Sequence, residues 1–200
     1  MLGLVSQPSE EELDRAFRGA LTWFDNVTSK DSGITGYRAP GDQGSMLTEL
    51  SKVKDGYPFS KDLSCMTAVS VLCRLFGGES RSKEEIKKGA FVLIKHPPKW
   101  QLRQGKVQST INFYYWYYAT LAMFQYGSGL WKEWNEAMQK ALLPTQRRFD
   151  DTKEGGCEDG SWDPIDEWGL AGGRVYTTAL GALTLEVYYR YERAKEGKGL

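Results

Sequence analysis

Phe113-Tyr-Tyr-Trp-Tyr-Tyr118-Ala-Thr-Leu-Ala-Met-Phe124 is the stretch on which the fold turns. Its six opening aromatics have high strand propensity, and taken alone they suit a short strand. The apolar run nevertheless continues through Ala119 to Phe124 with no glycine or proline to end it. That length suits a helix buried on several sides. A helix from about Ile111 to Tyr126 is therefore predicted. Its rings leave the axis at about 100° per residue and so point in every direction.

The same order of elements recurs on either side. Upstream, Ser82 with Glu85 three residues later gives a capping-box start to a helix reaching about Lys95, before Pro97-Pro98. A loop containing Trp100 leads into the aromatic helix. Earlier still, Pro8 and the pair Ser9 and Glu12 open a helix running to about Val27, with Leu13, Phe17, Ala20, Leu21 and Phe24 at helical spacing. Residues 28–60 read as a long loop, and Asp62 to Phe76 as a second apolar helix closed by Gly77-Gly78. Downstream, Leu130 to Arg147 forms another mixed helix, its last turn shortened by Pro144. A glycine-rich loop from Phe149 to Gly173 then precedes a last apolar helix from Val175 to Arg193.

The chain thus reads as an all-α protein of three helical hairpins, at about 9–77, 82–126 and 130–193, in a single domain over 1–200. The hairpins share register. Arg18-Gly19-Ala20-Leu21 matches Lys88-Gly89-Ala90-Phe91, and the second helices align on Thr67-Ala68, Tyr118-Ala119 and Thr178-Ala179. Those alanines lie roughly 50 to 60 residues apart, as repeated supersecondary units with loops of differing length require.

Composition removes several functions. Twenty-six basic residues balance 26 acidic ones, which gives no electrostatic footprint for nucleic acid. No apolar run approaches the roughly 20 residues needed to span a bilayer. The segment after Met1 lacks the hydrophobic stretch of a signal peptide. Cys65, Cys73 and Cys157 are odd in number and irregular in spacing, which fits reduced thiols and favours the cytoplasm, although the compartment stays open. The chain is rich in aromatic residues, with 7 Trp, 11 Tyr and 8 Phe.

One element resembles a known signature. Gln146, a glycine-rich loop and Gly160-Ser161-Trp162 are similar to the Gln-Trp motif of squalene-type terpenoid cyclases and prenyltransferase repeats, with a longer insertion after the glutamine. Loop one carries an echo in Ser32-Gly-Ile-Thr-Gly-Tyr37. The resemblance implies an α/α-toroid, in which a ring of inner helices is surrounded by outer ones, and three hairpins make a partial or half ring. Its open apolar flank implies a homodimer, further repeats in a longer parent chain, or compact closure, because exposed apolar area costs roughly 25 cal/mol per Å².

The family's chemistry does not carry over with the pattern. The Asp-x-Asp-Asp acid string is missing, and Asp62 stands alone. Asp150-Asp-Thr-Lys-Glu154 matches the diphosphate–magnesium pattern, but in a glycine-rich loop it reads as a solvated acidic run. His96, the single histidine, sits at a helix end and suits the dipole there. Cys157 lacks the glutamine three residues on that a thioester needs. No metal or cofactor is expected. By cation–π reasoning the candidate ligand residues are Phe113, Tyr114, Trp116, Tyr117 and Tyr176, set against the alternative of a helix simply buried on all sides. Trp162 and Trp168, with Asp163, Asp166 and Glu167, either bind carbohydrate or peptide or anchor a long loop. The resulting expectation is a binding or structural module for an apolar small molecule or a protein partner. The alternatives are a cyclase fragment with its acid elsewhere in the parent chain, or a lyase or carbohydrate-active toroid domain using a tyrosine such as Tyr115 or Tyr117 as base.

Overall fold

The structure is a computed structural model that describes residues 7–42, 65–102, 104, 109–149 and 156–190. Among these residues it is all-α, with seven α-helices and one 3-10 turn, and its extended pairing is confined to isolated bridges such as that between Thr28 and Thr35.

Helix α1 (Glu10–Val27) begins with a capping box. The Ser9 hydroxyl accepts from the Glu12 N–H at 3.3 Å, and the Glu12 carboxylate accepts from the Ser9 N–H at 2.8 Å. Glu10, Glu11 and Glu12 place negative charge on the positive end of the helix dipole. Only Phe24 and Val27 of α1 are buried, so the upstream end of its apolar stripe, including Leu13, faces solvent.

Helix α2 (Cys65–Phe76) is apolar on most sides; the start expected at Asp62 falls on residues 62–64, which lie outside those described. Helix α3 (Glu84–Ile94) starts later than its sequence suggests. Ser82 bonds to Ser80 instead, and Lys83 takes the cap position without a side-chain bond. Helix α4 (Phe113–Tyr126) is the aromatic stretch, and Asn112 caps it by accepting from the Tyr115 N–H at 2.8 Å. Helix α5 (Ser128–Leu142) gives way to a 3-10 turn at Leu143–Thr145, where Pro144 has no N–H to continue the α ladder. Helix α6 (Gly169–Leu185) contains a break at Gly173 (φ 65°), so its long straight part begins near Val175. A short α7 (Val187–Arg190) follows.

Packing sorts these helices into two layers. The most extensive pairing is α2 on α4, and α6 lies on the same central helix. Helix α1 packs on α2, α3 on α2 and α4, and α5 on α4 and α3. The sequence order therefore alternates between an outer helix and an inner one. Gly89 shows how closely the layers approach, because a Cβ there would strike Val71 of α2. Its sequence counterpart Gly19 meets nothing within 4 Å, so that part of the repeat has no shared packing role.

Trp116, Phe113, Tyr115, Trp134, Met123, Met138, Ile86 and Leu93 fill the core, all at 1% exposure or less. Arg74 is buried among them and is satisfied by Asp25 at 2.7 Å, Glu79 at 3.2 Å and Ser70 at 3.3 Å. A buried guanidinium needs all of its donors answered, and this one ties α2 to the end of α1.

Candidate functional site

Two connections that leave outer helices share a hydrogen-bond pattern, although the bonded residues lie much closer in sequence in the first than in the second. In loop one, Ser29 donates its N–H to Ile34 at 2.9 Å and its carbonyl accepts from Gly33 at 2.8 Å. In loop three, Arg147 donates to Ser161 at 2.8 Å and its carbonyl accepts from Gly160 at 2.8 Å. Gly33 and Gly160 both have φ near +75°, a conformation that costs a side-chain-bearing residue free energy. Two residues past each glycine the chain bonds to its inner helix. The Thr35 N–H donates to the Thr67 hydroxyl at 3.0 Å, and the Trp162 N–H to the Thr178 hydroxyl at 3.2 Å. Thr67 and Thr178 are the residues that aligned in sequence.

Loop three is held by further anchors, as loop one is by the Thr28–Thr35 hydroxyl pair at 2.9 Å. The Gln146 amide donates to the Gly160 carbonyl at 2.7 Å. The Trp162 indole, 2% exposed, donates to the Leu142 carbonyl at 2.9 Å and so caps the end of α5. Its ring lies against Gly181 of α6. Asp163 binds Arg147 through 3.0 and 2.7 Å contacts and Arg174 at 2.8 Å. The Arg147 hydrogen bond is the main reason its carboxyl sits below the usual range.

Beyond this clamp the loop carries Pro164-Ile165-Asp166-Glu167-Trp168 to the start of α4. Asp166 accepts from the Phe113 N–H at 3.0 Å, and the Asn112 side chain donates to Glu167. Burial pushes Asp166 up to about 6, against the pull of nearby backbone N–H groups. Glu167 is pushed up to about 7 by burial and by the adjacent Asp166, with the Asn112 bond opposing. Asp166 Oδ1 and the Tyr176 hydroxyl are both buried without a hydrogen-bond partner. Burial raises the Tyr176 phenol, and the charges of Asp166 and Glu167 raise it further. Cys65, at the start of α2, is raised by burial and by Glu167. Tyr114 stacks near Trp168 at 6.2 Å and against Tyr118 at 4.8 Å. The described starts of the three inner helices thus present one acidic and aromatic cluster. A pair of carboxyls held near neutrality beside phenols can exchange a proton or hold a positive charge.

The candidate aromatics divide between two environments. Phe113 and Trp116 lie in the core with Trp100, at centroid distances of 5.4 to 6.2 Å. Tyr114, Tyr117 and Tyr176 are only partly covered. Tyr115 is fully buried, its phenol raised by burial and its hydroxyl donated to the His96 carbonyl at 3.0 Å, so it cannot reach a substrate as a base. The sequence reading gave no role to Cys65 or Asn112, and it set Asp166 and Glu167 beside Trp162 and Trp168 as carbohydrate or peptide contacts or as part of a loop anchor. An asparagine directly before the aromatic run was the available signal for a cap; nothing local shows that Glu167 would meet it. Residues 150–154, with the acidic Asp-Asp-Thr-Lys-Glu run, lie outside those described. Among the described residues no group of His, Cys, Asp and Glu could hold a metal ion, the three cysteines are free, and no helix is long and apolar enough to cross a membrane.

Compared with protein-family models, curated proteins and solved structures, the chain matches none.

Proposed function

We propose that this chain is a toroid-type repeat module of the terpenoid cyclase and prenyltransferase kind, acting as a binding scaffold for an apolar ligand or a partner chain. The observation that carries this reading is the alternation of α1, α3 and α5 with α2, α4 and α6, which pack along the central α4, together with two connections that share a hydrogen-bond pattern. The binding face is the side of α4 that the core leaves free, with Tyr114 and Tyr117, facing Tyr176 and Trp168. Aromatic faces there would meet an apolar or cationic ligand group.

The test compares two substitutions with an environment-sensitive apolar dye. Tyr114→Ala should weaken dye binding with little effect on thermal stability, and Trp116→Ala should do the reverse. Equal dye binding by the wild type and Tyr114→Ala would overturn the placement of the face. A second reading, a fragment of an acid-dependent cyclase, draws on Asp166 and Glu167 being held near neutrality beside tyrosines. Isoprenoid turnover that disappears in Glu167→Gln would favour that reading.

A further inference from the structure

Helix α6 lies on its neighbours by one side only. Thr177 and Thr184 are buried there, and Gly181 lies against Trp162. The opposite side carries Val175, Ala179, Ala182, Glu186 and Tyr189, all exposed and, at about 100° per residue, within one arc of about 80°. Glu186 keeps helical backbone (φ −73°, ψ −5°), so α7 carries the stripe on to Tyr189, while Tyr188 turns the other way onto Gln139 of α5. Tyr189 at 92% and Val175 at 83% are the most exposed large apolar side chains among the described residues. From Val175 to Leu185 there is no charged residue. A helix face that meets water ordinarily carries charged or polar side chains, so a charge-free apolar one marks a surface that another chain covers.

We propose that this face pairs with its counterpart on a second copy of the chain, antiparallel about a two-fold axis at Ala182. Identical faces meet here without like-charge repulsion, because the stripe's single charge, Glu186, sits four residues from the axis. The two copies of Glu186 are then about 12 Å apart, beyond the screening length of roughly 8 Å in physiological salt. A parallel pair would set Glu186 directly on Glu186, which disfavours it. Val175 and Tyr189 each lie seven residues from Ala182, so the antiparallel register lays the Tyr189 ring of one copy over Val175 of the other at both ends. The small Ala179 and Ala182 between them let the helices approach to about 8 Å. The stripe is about 21 Å long and about 10 Å wide. Two such faces remove roughly 1,000 Å² from water, the lower end of a specific interface, which sets a dissociation constant on the order of 10 μM. The inference rests on α6 and α7 and not on the binding face at Tyr114.

The test is sedimentation equilibrium of the full chain over concentrations of about 1 to 200 μM, which bracket that constant. The mass should rise from the monomer's 22.6 kDa towards twice that value. Ala182→Arg sets two like charges on the axis and should weaken association at least about tenfold. Arginine is a good helix former and the position is exposed, so the variant should keep the wild-type melting temperature at low concentration. The register is read separately by mild oxidation. Ala182→Cys should form a covalent dimer, because facing Cα atoms at the axis come within disulfide range. Val175→Cys should not cross-link beyond the wild type, which carries the exposed Cys157, because its two sulfurs would lie about 21 Å apart. A monomer at every concentration would overturn the proposal. So would a dimer unaffected by Ala182→Arg, or equal cross-linking at both positions. Dye binding indifferent to Tyr114, with the dimer intact, removes the module's ligand face and leaves this interface standing; a monomer whose dye binding depends on Tyr114 does the reverse.

Discussion

The Trp162–Gly181 contact offers a quantitative test of how loop three is held. A Cβ built on Gly181 would come within 2.9 Å of the Trp162 ring, closer than real Cβ contacts allow. Gly181 lies in the straight part of α6, where alanine is preferred to glycine by about 1 kcal/mol. Overpacking a filled site costs about 1–3 kcal/mol, so Gly181→Ala should be neutral to destabilising by about 2 kcal/mol in the wild type. Trp162→Ala removes a buried ring and the indole bond to Leu142, and should cost about 3–5 kcal/mol. In that background the obstacle is gone, and Gly181→Ala should stabilise by about 1 kcal/mol. The two changes are therefore coupled by about 1–3 kcal/mol, measurable as a double-mutant cycle from urea unfolding. A Gly181→Ala effect of the same size and sign in both backgrounds would refute the reasoning. So would a cost below about 1 kcal/mol for Trp162→Ala.

Trp116→Ala should lower stability by about 3–5 kcal/mol, because the ring is enclosed by Trp100 and Phe113; thermal unfolding reads this directly. Gly33→Ala forces a side chain into φ +75° and against Lys88 of α3, and should cost about 1–3 kcal/mol or more by the same measurement. Glu167 titrates at about 7 when folded against 4.5 for its ordinary value, so between those values the native state holds a proton that the unfolded chain has lost. Stability should accordingly fall as pH rises from about 4.5 to 7, and Glu167→Gln should flatten the decline in melting temperature. An unchanged pH profile in that variant would show that Glu167 is not the group responsible.

The sequence by itself determined the helical class and its punctuation. Ser9 with Glu12, the uninterrupted run from Phe113 to Phe124, Pro144 and Gly173 act within a turn or two of chain, so their effects were legible locally. The order of Gln146, Gly160 and Trp162 was legible for the same reason, and hydrogen bonds link that segment to the end of α5. Ser82 misled because a capping box competes with other partners, and Ser80 took its hydroxyl. What tertiary structure decided was the division of the aromatic helix. All six rings carry the same local signal, and only the positions of Trp100 and Trp134 on one side and Trp168 on the other bury Phe113, Tyr115 and Trp116 and leave Tyr114 reachable. The same holds for the acid pair. In sequence Asp166 and Glu167 could only be grouped with the nearby tryptophans, as carbohydrate or peptide contacts or loop anchors, because their hydrogen bonds to Asn112 and Phe113 reach more than fifty residues along the chain.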